Sequence, residues 1–331
     1  MATPEVSVVI PVYNEEASLP SLFKRIYPAL DALGRSYELI FVDDGSRDQS
    51  MRALRAQFDR RPDVTRVVLL ATNFGQHMAI LAGFQHTRGE IVVTLDADLQ
   101  NPPEEVAKLL AKMAEGYDYV GSYRSERRDT LFRRVASRAM NRMRERMTRI
   151  RMTDQGCMLR AYARNVVDAI NLSPEGNTFV PALAYIYARN PTEVEVAHDE
   201  RAAGASQYSL SKLIKLNFDL MTGFSVKPLQ IFSAIGMVVA LGSVLLYASV
   251  LIRQLFVAGL DGALAHVWDR DVLEFFLMGI ALFGLGLTGE YIGRIYEQVR
   301  GRPRFLVQAV LESEPGARPW QPKQSSLHTT T

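Results

Sequence analysis

The chain has 331 residues, 48% hydrophobic and 22% charged, which fits a folded core and exceeds the usual size of one domain. A formal charge of +2 gives no strong pull toward nucleic acid, and the single cysteine, Cys157, excludes an internal disulfide and suits a reducing compartment.

Met1–Glu5 has no basic stretch leading into a long apolar core, so no secretory signal is expected there. Val6–Val12 is too short to span a bilayer, is interrupted by Pro11, and reads as a buried strand. Short β-branched runs recur at Ser7–Val12, Tyr37–Val42, Arg66–Leu70 and Ile91–Leu95, each followed by a helix-like stretch or a turn. That alternation predicts an α/β fold with a parallel sheet, whose ligands bind beyond the carboxyl ends of the strands.

The residues at those ends carry the chemistry. Pro11-Val12-Tyr13-Asn14-Glu15-Glu16 follows the first strand, Asp43-Asp44-Gly45-Ser46 the second, and Asp96-Ala97-Asp98-Leu99-Gln100-Asn101-Pro102-Pro103 the fourth. Two carboxylates one residue apart suit a hard divalent cation, Mg2+ or Mn2+, that completes its shell with water and the phosphates of a nucleotide. Taken alone, such a pair is as readily a solvated turn or helix cap. Three acidic or polar turns on strand ends, in a chain that then turns apolar, favour the ligand site. A Walker-type Gly-rich loop is absent, which argues against a P-loop nucleotidase.

Further along, Arg124–Arg151 is heavily basic and reads mainly as a solvated helix face or one resting on anionic lipid. Ser211–Ser225 mixes Leu213, Ile214, Leu216, Phe218, Leu220 and Met221 with lysines and Asp219, as an interfacial helix would. Ile231–Ile252 carries no charge, and as a helix it would cross a hydrocarbon core of roughly 30 Å. Val272–Ile292 is apolar through its middle, with Glu274 and Glu290 near its ends; Glu290 is expected to pair with Arg294 one turn later. The outer flanks are basic (Lys212, Lys215, Lys227; Arg294, Arg300, Arg302, Arg304) and the connecting loop is mainly acidic, so both termini are expected in the cytoplasm. Glu312–Thr331, rich in Pro, Ser, Gln and Thr, reads as a disordered tail. The expected units are a cytoplasmic domain at 1–210, a juxtamembrane segment at 211–230, a two-helix hairpin at 231–293 and a C-terminal segment at 294–331.

Val9–Glu15, Val42–Ser46 and Asp96–Pro103 together resemble family 2 glycosyltransferases of the GT-A (Rossmann-like) fold, in their polyprenyl-phosphate branch. The likeness runs from about Ser7 to Val310 and includes both apolar segments and Gly289–Tyr296. Asn73–His77, Gly156–Tyr162 and Gly289–Tyr291 narrow it to members that act on undecaprenyl phosphate. The resemblance implies transfer from a UDP-sugar, with 4-deoxy-4-formamido-L-arabinose as the first choice and glucose, N-acetylhexosamine or mannose as alternatives. It further implies a bacterial inner-membrane enzyme, a homo-oligomer of the tetramer type, and membrane lipid as a partner.

Carried onto this chain, it implies that Pro11, Tyr13 and Glu15 with Asp43 or Asp44 border the nucleoside, and that Asp96, Asp98 and Gln100 hold the metal and the diphosphate. Arginines suit a lipid phosphate, and Arg124, Arg133 and Arg201 with Ser206 are the candidates. Relatives read Gly-x-Ser-Lys-Tyr where this chain has Gly204-Ala205-Ser206-Gln207-Tyr208, so a family lysine is replaced. Asp154 occupies the place of the catalytic carboxylate of inverting members. A phosphate monoester is already largely ionised at neutral pH, so Asp154 is assigned to positioning or electrostatics, with Asp98 as the other catalytic candidate. His77, a lone histidine after a strand, is left out of the catalytic set. Two readings compete. A processive polysaccharide synthase would need more membrane helices and a Gln-x-x-Arg-Trp segment not found here. A non-enzymatic membrane scaffold would keep only a degenerate nucleotide-binding domain.

Overall fold

The computed structural model describes residues 3–124, 145, 150, 152–173, 179–197, 218, 222, 225–236, 238–239, 242 and 270–313. Its centre is one sheet built from β1 (Val6–Val12), β2 (Tyr37–Asp43), β3 (Thr65–Leu70), β4 (Ile91–Thr94), β5 (Tyr119–Arg124), β6 (Arg160–Ala163), β7 (Pro191–Val196) and β8 (Val307–Leu311). The strand order is β7-β5-β6-β4-β1-β2-β3-β8. β1 pairs in parallel with both β2 and β4, and β2 with β3, while β6 and β8 run antiparallel to their neighbours. The four expected strands are present to within a residue or two at each end. β5 to β8 extend the sheet on both sides.

Period-two alternation divides the core. Val6, Val8, Ile10 and Val12 of β1 pack with Leu39 and Phe41 of β2 beneath α1 (Leu19–Asp31), α2 (Ser50–Arg60) and α4 (Val106–Ala114). Val9, Ile40, Val42 and Val68 face the other layer, formed by α3 (Gln76–Gln85), α5 (Arg164–Leu172) and α6 (Val180–Tyr187). Gly83 of α3 lies directly on β1, since a Cβ there would stand 2.3 Å from Val9 Cγ1. Only glycine permits that approach, and it seats α3 firmly across the sheet.

β8 was not foreseen. It returns from α7 (Arg270–Val299) and pairs with β3, with Ala71 N donating to Leu306 O at 2.9 Å. Glu312, assigned to the tail from sequence, is instead fixed: Arg66 Nη2 donates to it at 2.5 Å and Arg88 Nη2 at 2.9 Å. The remainder of that tail lies outside the described residues.

Residues 227–236, where described, run antiparallel to α7. Tyr291 Oη donates to Ser225 O at 2.7 Å, and the Phe232 ring fills the space over Gly284, where a Cβ would meet Cε1 and Cζ at 2.2 Å. Glu290 and Arg294 form the expected ion pair at 2.7 Å. Among the described residues no helix is long and apolar enough to cross a membrane. Most of Ile231–Ile252 beyond residue 236, and most of Ser211–Ser225, lie outside the described residues.

Candidate functional site

β1 and β4 are neighbours, yet the chain runs from β1 to β2 in one direction along the strand order and from β4 to β5 in the other, so a crevice opens at their carboxyl ends. The loops after β1 and β2 form one wall and are laced together. Asn14, at φ 55, receives Arg47 N on its Oδ1 at 2.9 Å and donates its own N–H to Ser46 Oγ at 3.0 Å. Glu15 N donates to Ser50 Oγ at 2.8 Å, and Glu16 N to Asp48 Oδ2 at 3.1 Å. Pro11 ends in β1 opposite Val42, while Tyr13 stands 44% exposed at the rim, open to stack on a planar ligand.

The two aspartates after β2 differ sharply. Asp43 is buried, accepts from Ser46 N at 3.3 Å, and has its carboxyl pushed up by burial. Asp44 faces the chain itself. Its carboxylate accepts from Phe74 N at 2.8 Å, Gly75 N at 2.9 Å and Asn73 Nδ2 at 3.0 Å. Asp43 is thus held by its own turn, and Asp44 binds the loop that starts α3. Gly45, at φ 69, makes this possible, because a Cβ there would stand 2.5 Å from Thr72 C.

The turn after β4 forms the floor. Asp98 Oδ1 accepts from Gln100 N at 3.1 Å across Leu99, which adopts φ 61 and buries its side chain in the core. A left-handed leucine is strained, and the buried side chain holds it there. Asp96 Oδ1 accepts from Gln76 Nε2 at 2.6 Å. Surrounding protein, and then the charge of Asp98, push the Asp96 carboxyl up to about 7. Among the described residues no group of three or more His, Cys, Asp and Glu side chains is placed to hold a metal. The donor set therefore offers two protein carboxylates in mutual repulsion. A divalent cation that takes its remaining ligands from diphosphate and water fits that set, and its charge would relieve the repulsion.

Opposite the floor, Arg124 and Asp154 form a bidentate pair, Nε to Oδ2 at 2.6 Å and Nη2 to Oδ1 at 3.0 Å. Gly156 N adds a bond to Asp154 Oδ1 at 2.9 Å, and the absence of a side chain at Gly156 leaves room for the guanidinium, 3.0 Å from where a Cβ would be. The fully buried Arg160 donates from Nη2 to Asp154 O at 2.7 Å and from Nε to Cys157 O at 2.8 Å. Glu193 of β7 accepts from Thr153 N at 2.9 Å. The Asp154 loop is thus pinned from three directions. His77 packs edge-on against Phe179, centroids 4.9 Å apart, and burial followed by the charge of Arg160 lowers its pKa to about 4.

The structure therefore brings Pro11, Tyr13, Glu15, Asp43, Asp96, Asp98, Gln100, Arg124 and Asp154 to one end of the sheet. Arg133, Arg201, Ser206 and Gln207 lie outside the described residues. Sequence reasoning missed Gln76 and Arg160. Gln76 falls within the Asn73–His77 segment, and Arg160 within Gly156–Tyr162, both noticed only as family likeness.

The pattern of glycosyl transferase family 2 matches residues 7–170. The undecaprenyl-phosphate 4-deoxy-4-formamido-L-arabinose transferase of Pseudomonas aeruginosa (strain LESB58) is 48% identical over 314 residues, covering 95% of this chain and 92% of that protein. The protein of the same description from Shewanella sediminis (strain HAW-EB3) is 46% identical, with 95% of both chains covered. A solved structure of glucosyl-3-phosphoglycerate synthase from Mycobacterium tuberculosis, in complex with Mn2+, UDP and phosphoglyceric acid, is 22% identical with a TM-score of 0.49 over 67% of this chain and 78% of that one.

Proposed function

Because the chain belongs to glycosyl transferase family 2, we propose that it transfers 4-deoxy-4-formamido-L-arabinose from its UDP derivative to undecaprenyl phosphate at the cytoplasmic face of the bacterial inner membrane. The observation that carries this is the Asp96 and Asp98 pair at the β1/β4 crevice, in a chain 48% identical to a transferase of that description over 95% of its length. The sugar rests on that relationship, and the chemistry on the crevice.

In this reading Pro11, Tyr13, Glu15 and Asp43 border the uridine, and Asp96 and Asp98, with Gln100 beside them, hold a divalent cation against the diphosphate. A cation bound there would offset the charge that builds on the departing nucleotide. The acceptor phosphate is largely dianionic at neutral pH, so an oxygen lone pair attacks the anomeric carbon without a proton to remove. The bond to the UDP oxygen breaks as the new bond forms, which inverts the anomeric centre and releases UDP. Asp154 orients Arg124 and offsets its charge. Arg124 then presents its remaining N–H edge to phosphate, joined by Arg133, Arg201 and Ser206. Two spans, Ile231–Ile252 and Val272–Ile292, keep the crevice near the lipid headgroups, with both termini in the cytoplasm and the chain assembled as a homo-oligomer. The antiparallel packing of residues 227–236 on α7 supports the hairpin.

The test is a donor panel. Full-length protein in detergent is given undecaprenyl phosphate, Mn2+ and UDP-4-deoxy-4-formamido-L-arabinose, UDP-glucose or UDP-N-acetylglucosamine. Preference for the first is expected; preference for UDP-glucose would overturn the sugar, and transfer from none would overturn the function.

A further inference from the structure

We propose that Gln76 is a positioning residue for the cation site: its side-chain amide engages one oxygen of Asp96 and leaves the other as the donor to the cation. This rests on the reading of Asp96 and Asp98 as cation ligands. The contact is short and direct, Nε2 to Oδ1 at 2.6 Å. A carboxylate at a strand end is otherwise free to rotate, and ordering it on binding would cost affinity.

Gln76 is itself held in place from three strands. Asp44, after β2, fixes the backbone of Phe74 and Gly75 by bonds of 2.8 and 2.9 Å. Gly75, after β3, turns at φ 95 to begin α3 at Gln76. Gly83, two turns later, seats the helix on β1 against Val9. The side chain that reaches Asp96 therefore springs from a backbone fixed on two sides. Its chemistry suits the task. A lysine or arginine in its place would neutralise Asp96 and compete with the cation, whereas an amide orients the carboxylate and leaves its charge available.

The experiment measures Mn2+ affinity from the loss of the free-ion EPR signal, with UDP present, for full-length wild type, Gln76→Met, Gln76→Asn and Asp98→Ala in detergent. Methionine keeps the length without a donor, and asparagine keeps an amide too short to reach. UDP affinity without metal is measured in parallel. The expected result is Mn2+ binding weakened about 10-fold in both Gln76 variants, the lower end of the usual loss for a group that orients a metal ligand, with metal-free UDP affinity unchanged. Unchanged Mn2+ affinity in the Gln76 variants, beside its loss in Asp98→Ala, would overturn this proposal and leave the cation reading standing. Unchanged affinity in all three would overturn both. An equal fall in metal-free UDP affinity would mean a general loosening of the crevice and would also overturn the proposal.

Discussion

Arg124 clasps both oxygens of Asp154, at 2.6 and 3.0 Å, with 20% and 4% of the two side chains exposed. A carboxylate committed to a guanidinium is a poor base, because its partner stabilises the ionised form and removes its appetite for a proton. Asp154→Ala leaves Arg124 without this counter-charge in a largely enclosed position and should cost about 3 kcal/mol of stability, the low end for breaking a buried pair. Asp154→Asn should lower turnover while the residual rate keeps the wild-type pH profile above neutrality. A profile that changes shape in Asp154→Asn, read by initial rates across pH, would restore proton abstraction.

Asp44 and Gly45 serve one loop. Asp44→Ala strips the partner from Phe74 N and Gly75 N and should destabilise the domain by about 2 kcal/mol. Gly45→Ala should do at least as much, since the new Cβ would stand 2.5 Å from Thr72 C at a left-handed φ of 69. Chemical denaturation measures both. An Asp44→Ala protein as stable as wild type but unable to bind UDP would return Asp44 to the nucleoside.

How much of this was legible in sequence depended on the distance over which each residue finds its partners. β1 to β4 announced themselves because they are short β-branched runs, and the turns after them carried their chemistry in adjacent residues. β5, with Gly121 and Ser122 in its middle, lacks that signature. β8 pairs with β3 across more than two hundred residues, and no local pattern reveals such a partner. Asp43 and Asp44 look identical in sequence; only the fold shows that one is tied to Ser46 in its own turn and the other to the α3 loop. Arg160 reads as a surface cation until the carbonyls of Asp154 and Cys157 are seen around it.

Glu312 ties the end of β8 to Arg66, whose side chain is 9% exposed and also donates to Glu38 Oε2 at 3.3 Å. Glu312→Ala should destabilise the catalytic domain by about 2 kcal/mol, the scale of a hydrogen bond to a charged group. It should also speed proteolysis between α7 and β8. Unfolding and cleavage rates equal to wild type would show that the strand is held by its backbone pairing alone.

His77 gives the domain an acid-side sensitivity. Its pKa is about 4 in the folded chain against an ordinary value of 6.5, so between these values the unfolded chain takes up a proton that the folded chain refuses. Stability from this residue is complete above 6.5 and falls as pH drops toward 4, by up to about 1.4 kcal/mol per pH unit. His77→Phe, which preserves a ring against Phe179, should flatten that slope between pH 6.5 and 5 in denaturation experiments; an unchanged slope would place the sensitivity elsewhere.

The acidic pair at the end of β4 carries the proposed chemistry. Asp98→Ala, assayed for transfer from labelled UDP-4-deoxy-4-formamido-L-arabinose to undecaprenyl phosphate over a Mn2+ titration in detergent, tests it most directly. Turnover should fall by about 100-fold or more, with no recovery of wild-type rate at saturating metal. Undiminished turnover with the wild-type metal dependence would contradict it.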